Sequence, residues 1–562
     1  MNTKITTAFL LFFFSLSAIA DTTPKILISP LANDNWQVEY RFGYPVESLQ
    51  FMRSMGYLRE ENWQVQTPGY RFARSGDVQF LVRDESAEPA DAIVIEFPVE
   101  TRFILRDYEL FNRFFDGSLM LFTGHFYVQP AGKKVPDQQQ LGFLTKITLS
   151  PPKGKQIGIQ GQLTSKAVTW IDKTGEGTYA YIGNTPATET ESVITVFDKG
   201  LPSWVSQQAQ QRIPELLALY TKRMGPHSAV KPLVLFSYEP DAQQTYGYNG
   251  GVRNDLIQLR VSGSSWQQES TGPMISLIQL FAHEAAHLWN GQAVRSAPNT
   301  SPWIHEGSAD ALAERALVDL GLIASSVFWQ HQEAALNSCI SGLKAEKSLL
   351  STTQHRLHYT CGNILSLWAE RALQSVSRDK DLFDIWRHLI ENSPSGTFDQ
   401  SSYFEALTTM GVTPRHTGAM QDFVSRSHKN PVQALKEAFE PLGIILERDD
   451  QAASTSAVIQ MSAQLLTALL KNDCGNGYGF YTHPHHFTLS GLSGCQSAYD
   501  GLEVTHIENT AIAAPGFLAY QTASTACVEK GKVEIGNSQQ KISLPCTTKL
   551  PDLEGWWRIN VE

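Results

Sequence analysis

Through the first third of the chain, apolar residues come in short runs, some alternating with polar residues and some continuous. Residues 36–42, 78–82, 93–99 and 119–128 are such runs, and turn-forming residues separate them. A period of two sends one side of a run into a core and the other towards water, so residues from about 35 to 197 are predicted to form an antiparallel β domain. After Gly200 the period lengthens. Residues 204–223 place their apolar side chains at helical spacing and lead into Met224-Gly225-Pro226, where a glycine followed by a proline stops a helix. Residues 233–236 and 255–261 then read as strands. From 276 to about 373 the pattern is mostly helical, and helical character continues to about 446. The last hundred residues return to short runs broken by turns, which predicts a β-rich end.

Length turns these stretches into domains. At 562 residues the chain is too long for one core, and roughly 150 residues per domain gives three or four units. The predicted fold class is multidomain α+β. Its parts are a signal peptide over 1–20, an N-terminal β domain over 21–200, a mixed domain over 201–375, a helical region over 376–448 and a β-rich domain over 449–562. Apolar residues at 42% and charged residues at 18% fit packed domains and exclude a disordered chain. A net charge of -11 argues against nucleic acid as a partner, since phosphate binding calls for a basic face.

The first twenty residues carry Lys4, an apolar run over 8–16 and Ala18-Ile19-Ala20, the small-x-small pattern of a signal peptidase site. Cleavage after Ala20 and export to a periplasm or out of the cell are expected. No stretch reaches the ~20 apolar residues of a spanning helix. All six cysteines, Cys339, Cys361, Cys474, Cys495, Cys527 and Cys546, follow that site. An even number in an exported chain favours disulfides over metal binding, and six cysteines allow 15 connectivities. Three local bridges, 339 to 361, 474 to 495 and 527 to 546, are the simplest.

The chemistry concentrates in two segments. Phe281-Ala282-His283-Glu284-Ala285-Ala286-His287-Leu288-Trp289 contains HExxH in a helix-compatible context. Residues four apart on a helix lie about 6 Å apart along its axis and on one face, so His283 and His287 can reach one ion. Glu284 stands beside that face, where it can act as a base towards water without ligating the metal. The second segment, Trp303-Ile304-His305-Glu306-Gly307-Ser308-Ala309-Asp310, supplies Glu306 as a third ligand. Two histidines and a glutamate leave a fourth position open, the arrangement of catalytic rather than structural zinc.

Between His287 and Glu306 stand 18 residues, with a tryptophan before the glutamate and a glycine after it. This pattern resembles the aminopeptidase N family of gluzincin peptidases, and Glu306-Gly307-Ser308-Ala309-Asp310 is similar to the Glu-Gly-x-Thr-Asp of the neighbouring glycyl aminopeptidase family. The resemblance implies a thermolysin-like catalytic domain over 201–375 and one Zn2+ per chain. Asp310, one helical turn after Glu306, would accept a hydrogen bond from a ligand imidazole and fix its tautomer. Tyr359-Thr360-Cys361-Gly362 is similar to the Tyr-x-Lys-Gly element of these families, which gives Tyr359 the role of stabilising the oxyanion. Cys361 stands where lysine is usual, and in a disulfide it would pin the tyrosine's helix. Gly250-Gly251-Val252-Arg253-Asn254 resembles the Gly-Ala-Met-Glu-Asn edge strand along which substrate pairs, so Gly250, Gly251, Arg253 and Asn254 are candidate substrate-binding residues. Arg253 reverses the charge of the glutamate that grips a free amine in that family.

Other features carry less. His305 is expected to pack or to face substrate, since a neighbour along a helix points about 100° away from Glu306. His483, His485 and His486 read as a solvated turn, with no acid or cysteine spacing beside them. Gly477-Tyr478-Gly479-Phe480 and residues 501–507 resemble a PDZ-like module. The expected function is zinc-dependent hydrolysis of peptide bonds in a peptide or protein substrate, with altered N-terminus recognition. A second reading, motivated by Arg253 and Cys361, is a non-catalytic scaffold of metallopeptidase shape that holds partner peptides.

Overall fold

The protein is described by a computed structural model covering residues 25–102, 104, 107–131, 145–172, 175–241, 246–344, 346–393, 395–449, 455–475, 477–483, 485–489, 492, 494–516, 518–547, 550 and 555–561. The expected leader over 1–20 lies outside the described residues. The chain divides into two compact units. The first takes in the described residues up to Arg113 with Leu119–Gly158 and Leu163–Asn184, and the second takes in Phe114–Ser118, Ile159–Gln162 and the residues from Thr185 onwards.

The first unit is built of strands, as its period of two predicts. Its largest sheet runs Val168–Asp172, Thr145–Leu149, Lys25–Pro30, Asn35–Val46, Ala90–Pro98 and Gln64–Val65. In Asn35–Val46 the side chains of Trp36, Val38, Tyr40 and Phe42 are buried while Gln37, Glu39 and Arg41 are not. Two expectations need correction. Lys25–Pro30 runs parallel to Thr145–Leu149, so the unit is not purely antiparallel. The apolar run 119–128 is also not one strand: Leu119–Phe122 ends in a 3-10 turn, Thr123–Phe126, before Val128–Pro130. There the Thr123 hydroxyl donates to the Thr178 carbonyl and accepts from the Thr178 N–H, both at 3.0 Å, and takes the place of a ladder bond. Every residue of the run is buried, although Thr123-Gly124-His125 breaks its apolar pattern at the turn.

The second unit begins with a five-stranded sheet made of Ala187–Glu189 (β1), Ile194–Phe197 (β2), Leu233–Glu239 (β3), Gly247–Arg253 (β4) and Leu256–Ser262 (β5), in the order β1-β2-β3-β5-β4. Strands β2, β3 and β5 are parallel, and β3 is buried on both faces except at its last residue, as parallel strands usually are. β4 pairs antiparallel with β5 and forms the edge. Between them Asn254 and Asp255 both take positive φ, 48° and 59°, which makes a tight two-residue hairpin turn matched to the twist of the strands.

Five helices complete this part: Ser203–Met224 (α1), Thr271–His287 (α2), Trp303–Asp319 (α3), Ser325–Leu343 (α4) and His355–Gln374 (α5). α1 stops at Gly225, whose φ of 84° suits glycine, as the Gly-Pro signal predicts. Val234, Phe236, Ile257 and Leu259 of the sheet share one core with Leu216 and Tyr220 of α1 and Leu277 and Phe281 of α2. The Tyr220 hydroxyl donates to the Ala282 carbonyl at 2.8 Å, which ties α1 to the turn just before His283.

Four further helices, Leu382–Asn392, Gln400–Thr409, Pro414–Ser425 and Pro431–Phe439, follow the helical reading of 376–446. Strand Ile444–Asp449 then pairs with Trp556–Val561 across the expected boundary at 448. The segment beyond is mixed and not simply β-rich, because Thr455–Cys474 (α6) and Leu518–Lys530 (α7) are helices. Leu465, Leu466, Leu469 and Leu470 of α6 are fully buried, a helical three-four spacing packed on Phe487, Val504 and Val533. Disulfides join Cys339 to Cys361, Cys474 to Cys495 and Cys527 to Cys546, the three local bridges expected. Among the described residues no helix is long and apolar enough to cross a membrane.

Candidate metal centre

The last two turns of α2 carry His283 and His287, whose imidazoles are buried on one face of the helix. Their Nε2 atoms lie 3.1 Å apart. Glu306, in the first turn of α3, brings Oε2 to 3.5 Å from His283 Nε2 and 3.4 Å from His287 Nε2. A tetrahedral zinc with ligands at about 2.0–2.1 Å would hold its donor atoms roughly 3.3 Å from one another. The triangle therefore fits zinc, and two nitrogens with one oxygen suit its borderline-soft character.

Each histidine is fixed from behind. His283 Nδ1 lies 2.8 Å from Asp310 Oδ1, and His287 Nδ1 lies 2.8 Å from Asn290 Oδ1. With these nitrogens donating, the two Nε2 atoms are left to face the triangle, where a metal would bind them deprotonated. Burial works to lower the His283 pKa, but its contacts with Asp310 and Glu306 raise it to about 10. Burial likewise opposes ionisation of Glu306, yet His283 and His287 hold its carboxyl well below the usual range. This pocket favours positive charge at its centre.

The other two candidates flank the triangle. Glu284 approaches β4, since a β-carbon at Gly250 would lie 3.3 Å from Glu284 Cγ. Glycine thus lets the edge strand pass close to the proposed base. The Tyr359 ring lies 5.9 Å from the His283 ring at an interplanar angle of 21°. Burial, then the carboxylate of Glu306 that its hydroxyl meets, push the Tyr359 phenol up, so it is a neutral donor at ordinary pH. The Cys339–Cys361 bridge anchors α5 to α4 two residues after this tyrosine, and Ser308 and Ser366 bond across α3 and α5 at 3.1 Å.

Arg253 is the last residue of β4, and Asn254 is the first residue of the turn that follows. Gly250 and Val252 share the face of β4 that turns towards α2 and the core, so strand alternation sends Arg253 from the opposite face. Three residues of strand also separate it from Gly250 by roughly 10 Å. Asn254 occupies the hairpin turn. His305 packs, its ring stacked on His287 at 4.1 Å, and burial together with His287 pushes its pKa down to about 3. His483 and His486 stack on each other at 4.1 Å in the loop between strands Phe480–Thr482 and Phe487–Leu489. Among the described residues the other grouping with metal-ligand spacing is Asp473, Cys474 and Cys495, and its cysteines are spent in a disulfide.

Asn290 was not singled out by the sequence. A signal existed, because it stands three residues after His287 and so returns to nearly the same face of a helix. It lies in a π-helical turn, Leu288–Ala293, that directly continues α2.

No protein-family model and no curated protein matches the chain. Solved structures do. A crystal structure of an aminopeptidase N family protein from Idiomarina loihiensis superposes with a TM-score of 0.60 at 12% identity, covering 96% of this chain and 98% of that one. This chain has an aminopeptidase N-like fold. A two-domain M1 zinc metallopeptidase, a point mutant bound to L-arginine, matches over 73% of this chain and 95% of its own at 11% identity, with a TM-score of 0.42.

Proposed function

We propose that this chain is an exported metallopeptidase that holds one zinc ion with His283, His287 and Glu306 and hydrolyses peptide bonds. The observation that carries the reading is the triangle of donor atoms at 3.1, 3.4 and 3.5 Å with Glu284 and Tyr359 beside it. A zinc ion bound there would acidify a water molecule and polarise the substrate carbonyl. Glu284 takes the proton from the attacking water and delivers it to the departing amine. Tyr359, kept neutral, donates a hydrogen bond to the oxygen of the attacked carbonyl as its charge grows. Asp310 and Asn290 hold the two imidazoles in the tautomer that leaves Nε2 free for the metal.

Substrate chain lies along β4 and pairs with the strand's outer edge, which Gly250 allows to pass close to Glu284. The position that supplies an amine-gripping glutamate in the aminopeptidase N family is Arg253, so that particular grip on a free N-terminus is missing. Three disulfides and the pattern of the first twenty residues support export to a periplasm or beyond the cell. The Gly477–Phe480 run belongs to a PDZ-like module that assists in holding peptide. The test is metal analysis of the purified protein followed by digestion of a peptide library with and without chelator. About one zinc per chain and chelator-sensitive cleavage are expected, and a metal-free protein that cuts nothing would overturn the reading.

A further inference from the structure

We infer that Asn290 and His305, two residues outside the ligand set, form a clip that joins the His287 end of the metal site to the Glu306 end and so preforms it. The inference rests on the reading of His283, His287 and Glu306 as zinc ligands.

The ligands come from two helices, and the chain between them leaves helical structure after Ala293 and re-enters it at Trp303. Something must hold α2 and α3 in register to a few tenths of an ångström. On the His283 side Asp310 does so directly, reaching back from α3. On the His287 side the partner of the imidazole's Nδ1 does not come from α3. Asn290 takes the place: its Oδ1 accepts from His287 Nδ1 at 2.8 Å while its Nδ2 donates to the His305 carbonyl at 2.9 Å. His305 answers with its own ring, Nδ1 donating to the Asn290 carbonyl at 2.9 Å. The two residues are thus bonded reciprocally, side chain to backbone in both directions. His305 is the residue before Glu306, so the clip runs without a gap from one ligand to the next.

Two local features make the clip possible. In a regular α-helix the Asn290 carbonyl would accept a bond from an N–H four residues on, inside the helix. The π-helical turn at Leu288–Ala293 interrupts that ladder and leaves the carbonyl to His305, in keeping with the frequency of such turns at functional sites. Gly291 supplies the space, because a β-carbon there would come within 2.9 Å of the His305 ring. With that space His305 stacks flat on His287, ring centres 4.1 Å apart and planes 23° from parallel, which blocks rotation of the ligand ring.

The test measures metal binding and not turnover. Chelator competition on Asn290→Ala is expected to give zinc affinity roughly 10- to 100-fold weaker than wild type, the usual effect of losing an orienting partner. The visible spectrum of the cobalt-substituted protein should change, since it reports ligand geometry directly. Asn290→Asp, which keeps the acceptor for His287 but loses the donor to the His305 carbonyl, should recover only part of either. His305→Phe keeps the stacked ring but loses the Nδ1 donor, and it serves if Asn290→Ala fails to fold; it should weaken zinc binding and alter the cobalt spectrum. Folded Asn290→Ala or His305→Phe protein with wild-type zinc affinity and an unchanged cobalt spectrum would overturn the clip. Wild-type protein that binds no zinc would instead overturn the metal reading on which it rests.

Discussion

Gly307 and Gly362 touch through their backbones. A β-carbon on Gly307 would fall 2.2 Å from the Gly362 Cα, and one on Gly362 would fall 2.1 Å from the Trp303 carbonyl oxygen. Because Glu306 immediately precedes one glycine and Tyr359 stands one helical turn before the other, this contact sets how near the tyrosine comes to the third ligand. In Gly307→Ala the methyl meets main chain, which cannot rotate away. A loss of about 3 kcal/mol, the upper end for overpacking, is expected in urea unfolding, together with lower activity in whatever protein remains folded.

Glu284→Gln should keep its zinc and lose turnover by roughly 10²–10⁴-fold, the contribution of a positioned base. His283→Ala should fail to retain zinc through dialysis. Measuring metal content and peptide cleavage on both variants separates the base from the ligand, and an active Glu284→Gln protein would refute the mechanism.

Tyr359→Phe removes one hydroxyl and leaves the ring beside His283. If that hydroxyl serves the oxyanion, kcat should fall by about 10²–10³-fold with KM little changed. A fall in substrate affinity alone would assign the tyrosine to binding.

How much of this could be read from the sequence depended on how local each signal was. His283, Glu284 and His287 lie on one helix, where spacing alone fixes their directions, and each cysteine pairs with its neighbour in sequence, the simplest of the open connectivities. For Asn290 the three-residue offset from His287 is the one local hint, and its geometry depends on a π-helical turn, for which hydropathy has no signature. α6 was hidden because Gly and short runs nearby suggested turns, although its leucines carry a helical period. Which face of β4 meets the site depends on how α2 packs against the hairpin, a contact between segments more than thirty residues apart that hydropathy does not reveal.

That packing yields its own prediction. Since Arg253 leaves the face of β4 opposite Gly250, Arg253→Glu should not by itself create an aminopeptidase. Rates on matched peptides with free and acetylated N-termini should keep the same ratio in wild type and variant. A marked shift towards free N-termini would show that this side chain reaches the cleft.

Cys339 and Cys361 are both fully buried, and their bridge closes a loop with a sequence separation of 22. Replacing both with serine should cost about 2–4 kcal/mol in chemical denaturation. Because the bridge ties the part of α5 that carries Tyr359 to α4, the folded variant should also show a lower kcat, whereas an unchanged kcat would limit the bridge to stability.

The outer edge of β4 is paired with no other strand among the described residues, and it runs past Glu284. A row of backbone donors and acceptors at strand spacing recognises the conformation of a visitor before it recognises any side chain. Helices and closed hairpins have already used the groups that such an edge would bond. On the proposed reading, such an edge would favour loose or unfolded segments over compact ones, and the shape of a substrate would be a more general criterion than its sequence.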